Sequence, residues 1–150
     1  MKINRKNFFV LLNVVLGVVL ALLPFVLFPV CTKMAPDGNP MKCYYTGIFT
    51  VIMGCLVVAI ALLVFMAQKK GWLRSWSYIL TAVIALVCYM VPHRIIPIGN
   101  KSVNGWECGL CANAHHSCFA VTMPALTKLI IVIVLVNIAA LIYRFVAEER

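Results

Sequence analysis

The sequence predicts an all-α integral membrane protein with four transmembrane helices arranged as two helical hairpins. Both termini are expected to be cytoplasmic, with two cysteine-bearing extracytoplasmic loops. Three observations predict this. First, 64% of the 150 residues are hydrophobic and only 11% are charged, far from the composition of a soluble domain. Second, the apolar residues fall into four runs, about 8–30, 44–67, 76–98 and 120–145. Each is near the ~20 residues that carry a helix across ~30 Å of hydrocarbon. Third, five of the seven cysteines (Cys31, Cys43, Cys108, Cys111 and Cys118) lie between runs one and two or between runs three and four. A four-span chain puts those two links on one side. The spans are expected to form a single domain over 1–150, with no room for a large soluble unit.

Run one follows a basic segment with Lys2, Arg5 and Lys6. Its length exceeds the apolar core of about 7–15 residues in a secretory signal peptide. Bulky Val30 stands where a lipoprotein cysteine would need a small residue before Cys31, so the run reads as an uncleaved span. Pro24 and Pro29 should kink or end its last turn. In run two, Gly47, Thr50 and Gly54 offer a face of small residues that lets helices approach closely, and Cys55 reads as a small apolar filler.

The link 68–77 carries Lys69, Lys70 and Arg74 beside Trp72 and Trp76, the signature of a membrane interface. Run three has a small-residue stripe of Thr81, Ala85 and Cys88, and Pro92 and Pro97 break it. In run four, Lys128 can snorkel to the surface. Asn137 sits mid-span, where a polar side chain more often bonds a neighbouring helix than marks a functional site.

Orientation follows from the basic residues. With both termini inside, the cytoplasm holds Lys2, Arg5, Lys6, Lys69, Lys70, Arg74, Arg144 and Arg150, against Lys33, Lys42, Arg94, Lys101 and Lys128 outside. This bias obeys the positive-inside rule. It places the five loop cysteines in a compartment that permits disulfides. The net charge of +9 sits at the ends of apolar runs, so its expected partners are lipid headgroups and not nucleic acid. Each half of the chain reads as span, cysteine loop, span, with a cysteine shortly before the returning helix, which suggests an internal duplication.

The two loops carry the candidate chemistry. Cys31 and Cys43 bracket the turn-formers Pro36, Asp37, Gly38, Asn39 and Pro40, which can bring the loop ends together for a disulfide. The second loop holds Cys108-Gly109-Leu110-Cys111, then His115, His116 and Cys118. Three readings stay open there. One is a disulfide, Cys111–Cys118 or Cys108–Cys118. Another is a zinc or copper site built from Cys108, Cys111, His115, His116 and Cys118. The third is a redox dithiol of Cys108 and Cys111, with quinone as its cofactor. Five cysteines leave one over. Cys108, beside Glu107 in the less constrained part of the loop, is the expected odd thiol.

Some chemistry is excluded. No Gly-x-x-x-x-Gly-Lys-Ser/Thr loop is present, so the chain does not itself hydrolyse ATP. Ala112 follows Cys111, so covalent c-type haem is not expected. The spans hold no Asp or Glu, the groups that proton-coupled carriers use.

Two stretches carry a family resemblance. Met41-Lys42-Cys43-Tyr44-Tyr45-Thr46-Gly47 resembles a Met-x-Cys-aromatic-x-Thr signature. Ile98-Gly99, Cys111-Ala112-Asn113, Cys118, Thr122 and Pro124-Ala125-Leu126 resemble its partner. Together they are similar to a bacterial and archaeal four-span family called domain of unknown function 4418. The chain departs from the family at Tyr44, where histidine is common, and by an insertion near 100–108 that brings in Cys108. The resemblance implies two disulfides among Cys31, Cys43, Cys111 and Cys118. It also implies a multi-pass protein of the prokaryotic plasma membrane that accompanies ABC-type exporters with MacB-like permeases. A second likeness, of layout only, is to the DsbB-type thiol oxidoreductases.

The expected function is a non-enzymatic accessory or interaction subunit of a membrane complex, with a membrane protein partner and no cofactor. A thiol–disulfide oxidoreductase and an extracytoplasmic metal-binding protein are the alternatives.

Overall fold

The computed structural model describes residues 5–31, 38–67, 71–100, 102, 105–110 and 118–148. Helix α1 spans Arg5–Leu22 and runs into a π-helical turn at Leu23–Leu27. Pro24 stands at the start of that turn. It has no N–H to give to the preceding helix, and the ladder widens so that Phe28 N–H donates to Leu23 O at 2.8 Å. The proline kink expected of run one therefore takes the form of a π turn, and the helical chain stops at Leu27.

Helix α2 spans Lys42–Met66 and α3 spans Gly71–Met90. A π turn at Cys118–Thr122 leads into α4, Met123–Glu148. An isolated antiparallel bridge pairs Gly99 with Glu107 in the link between α3 and α4. The four helical stretches Phe8–Leu27, Lys42–Met66, Trp72–Met90 and Cys118–Val146 are long and apolar enough to cross a bilayer. The third helix differs most from the sequence reading. It begins within the expected link and ends at Met90, short of residue 98. Pro92 and a turn over 91–94, with Arg94 at φ 58°, close it.

Each helix buries one narrow face. The buried positions step by three and four: Val10, Asn13, Gly17 and Leu20 on α1; Cys43, Thr46, Thr50, Gly54, Val57, Ala61 and Val64 on α2. Thr81, Ala85 and Cys88 do the same on α3, and Leu126, Ile130, Ile133, Asn137 and Ala140 on α4. That is the i, i+3/i+4 rule of a helix with one packed stripe. The remaining faces expose large apolar side chains such as Leu63, Leu135 and Ile142, as suits hydrocarbon. Cys55, expected as a small apolar filler, lies exposed on α2 and fills no core space.

Helix α1 packs chiefly on α2, and α3 on α4. The first pair is drawn tight by small residues. A Cβ on Gly54 would sit 2.6 Å from the Ala21 backbone nitrogen, a distance only glycine allows. The main core joins Leu20 and Leu23 to Ala85, Cys88, Leu126, Ile130 and Ile133. Thus the π turn that Pro24 forces on the first helix is itself a core element, next to the cysteine-bearing end.

Candidate thiol site between the two hairpins

Three cysteines meet at one end of the bundle. Cys31 follows the first helix, Cys43 is the second residue of α2, and Cys118 opens the π turn before α4. Their Sγ atoms all lie within 4.8 Å of one another. Cys43 and Cys118 are 3% and 2% exposed. Two of the three stand at helix starts, where unpaired N–H groups favour negative charge. The thiols of both loops thus share one pocket.

The expected Cys31–Cys43 pair is close in space. Cys43 Sγ also lies 3.9 Å from the Cys31 carbonyl oxygen. No Sγ–Sγ bond joins two of the described cysteines. Cys111, His115 and His116, assigned to the second loop's disulfide, redox or metal readings, lie outside the described residues. Among the described residues, the grouping fit for a metal joins Cys31 and Cys43 of the first loop to Cys118 of the second and does not include Cys108.

Cys108 belongs to a different setting. It is 3% exposed, its N–H donates to Ile98 O at 2.9 Å, and it is far from unconstrained. Burial pushes its thiol above the ordinary value, and a hydrogen bond with Thr46 pulls weakly the other way. A buried, protonated thiol is a poor nucleophile.

Two threonines build the walls. Thr46 Oγ1 accepts from Gly109 N–H at 2.8 Å and donates back toward Gly109 O at 3.1 Å. Its hydroxyl also reaches the Lys42 carbonyl of its own helix at 3.2 Å. Thr122 Oγ1 donates to Phe28 O at 3.1 Å, tying the start of α4 to the end of the first helix. Cys43, Thr46, Cys118 and Thr122 all line one cavity of about 20 Å³, closed by apolar Leu23 and Leu126. It has room for about one water-sized group. Cys43, Thr46 and Gly47 of one signature stretch therefore share a cavity with Cys118, Thr122 and Leu126 of the other.

A charged cluster sits beside it. Glu107 is buried, with its carboxylate 2.8 Å from Lys42 Nζ and also paired with Arg94. Lys42 immediately precedes Cys43. In the sequence Glu107 stands out only as the neighbour of Cys108. Its pairing with Lys42 joins residues 65 positions apart, which spacing along the chain does not reveal.

Chemically, three clustered sulfurs fit a thiophilic ion. A metal about 2.3 Å from each sulfur would set them roughly 4 Å apart, close to the observed spread. Soft thiolate donors select copper(I) or zinc over hard ions.

No curated protein and no solved structure matches the chain. A family model described as Domain of unknown function (DUF4418) matches residues 13–143. That stretch contains all three clustered cysteines, both wall-building threonines and most of every helix, and the chain belongs to this family.

Proposed function

We propose that this chain is a non-enzymatic membrane subunit that binds a thiophilic metal ion, of the copper(I) or zinc class, through Cys31, Cys43 and Cys118. The observation that carries the proposal is the meeting of three sulfurs within 4.8 Å at the junction of the two hairpins. Two helix starts lend them positive potential, and an apolar cavity next to them keeps competing hard ligands away. In this proposal the thiol end faces away from the cytoplasm, as the distribution of Lys and Arg favours.

The test is metal competition on the purified, reduced chain in mild detergent. A colorimetric copper(I) chelator and a zinc indicator are each titrated against wild type and the Cys31→Ser/Cys43→Ser/Cys118→Ser variant. One ion withheld by the wild type and released by the variant supports the proposal and identifies the ion. Equal competition by both proteins for both metals rejects it. So does a permanent disulfide among these cysteines in protein taken directly from cells.

The same reading gives the chain a membrane partner, of the exporter class that the family resemblance implies. Purification in mild detergent tests this separately. A chain that emerges alone from its native membrane has no such stable partner.

A further inference from the structure

We propose that residues 105–110 form a latched cover over the three-thiol site and that Glu107 is the latch. The inference deepens the metal-binding reading by naming what controls access to that site.

Besides the packing of Trp106 on Tyr45 and the hydrogen bond between Cys108 and Thr46, the segment is tied to α2 on both sides of Cys43. On one side Glu107 pairs with Lys42, the residue before the cysteine. On the other, Gly109 exchanges two hydrogen bonds with Thr46, one helical turn after it. Gly109, which makes the second tie, and Leu110 beyond it form part of the wall of the cavity that Cys43 and Cys118 line. The far side of the segment is held by the Gly99–Glu107 bridge, by Cys108 N–H on Ile98 O and by Arg94 on Glu107. One carboxylate thus joins the cover to α2 through Lys42 and to the turn after α3 through Arg94.

A cover of this kind leaves the buried Cys43 and Cys118 reachable only when it opens. Opening breaks the Glu107 and Thr46 ties and uncovers Cys108 and Leu110, but it leaves the main core intact, because 105–110 contributes no residue to that core. Local openings of that sort cost less than global unfolding. The latch therefore sets the rate at which the sulfurs exchange an ion more than the affinity once it is bound. Glu107 acts on the site through Lys42 and the cover, as a positioning residue.

The experiment is alkylation of Cys43 and Cys118 by a small maleimide in reduced, metal-free, detergent-purified full-length protein, read by mass spectrometry. Glu107→Gln keeps the shape and removes the charge. Losing a charge-assisted tie should raise the alkylation rate of both cysteines about tenfold or more, with the melting transition preserved. Thr46→Val cuts the other tie without altering charge and should act in the same direction, while Thr46→Ser should keep the wild-type rate. If Glu107→Gln fails to fold, the Thr46 pair decides. Unchanged alkylation of both cysteines in the folded variants overturns the latch. Because no metal is present, that result is independent of whether the site binds an ion.

Discussion

Asn13 and Asn137 exchange a reciprocal pair of amide hydrogen bonds, 3.2 and 3.0 Å long, between α1 and α4. Each amide also donates to a carbonyl one turn back, Phe9 O and Ile133 O. Both side chains are buried, and Asn137 is fully so. The pair satisfies its own polar groups in a setting without water, and it fixes the register of the first helix against the last.

Replacing one member should leave the other wanting a partner. Asn137→Leu or Asn13→Leu alone should destabilise the bundle by about 1–2 kcal/mol, the upper range for such bonds in membranes. The double variant should recover part of the loss, since the orphaned amide is then gone. Unfolding by a denaturing detergent, run as a double-mutant cycle, measures the coupling. A cycle that sums to zero means the pair does not lock the helices.

Gly54 should tolerate no side chain. Its Cβ position falls against the backbone of Ala21, so Gly54→Ala must push α1 away from α2, at a cost of about 1–3 kcal/mol for overpacking. Gly47→Ala should cost less, because the nearest atoms it would meet belong to the side chains of Phe25 and Val30, at 3.1 Å or more. The ranking of the two melting temperatures checks this; the reverse order would refute the close α1–α2 crossing.

Gly99 is constrained twice. It sits at φ 81°, and a Cβ there would lie 2.7 Å from the Trp106 carbonyl oxygen. Gly99→Ala should therefore open the Gly99–Glu107 bridge and increase proteolytic cutting between 98 and 110. Limited proteolysis in detergent, with the cut sites mapped by mass spectrometry, reads this out.

Cys108 should react late. Burial raises its thiol pKa, so it stays protonated in the folded chain at pH values where a free thiol begins to ionise. Its alkylation should therefore set in at higher pH than that of a denatured control. By linkage, the stability gained from keeping this thiol neutral is full below the unfolded-state value and declines as pH rises past it toward the raised folded value. A folded-state onset at or below the denatured one would count against its burial.

Removing metal should matter in one place. On the proposed reading, a chelator that strips the loaded protein should lower its melting temperature, by the mass-action relation between ligand concentration and stability. The chelator should do nothing to the Cys31→Ser/Cys43→Ser/Cys118→Ser variant. An equal effect on both proteins would place any bound metal elsewhere.

The sequence by itself determined the four apolar helices, because a 20-residue hydrocarbon crossing is written in composition and run length. It also determined the small-residue faces of Gly47, Thr50 and Gly54 and of Thr81, Ala85 and Cys88, because helical spacing is local. It singled out Asn137 but gave no sign of its partner: Asn13 lies 124 residues away, and only the packing of α1 on α4 brings the two together. The thiol site follows the same division. Spacing within each loop pointed to Cys31 with Cys43 and to pairings among Cys108, Cys111 and Cys118, since loop closure is what a sequence shows. Only the tertiary structure decided that the sulfurs of Cys31, Cys43 and Cys118 cluster and that Glu107 reaches back to Lys42. Contacts between hairpins are fixed by how buried helix faces fit, and that fit has no signature in distance along the chain.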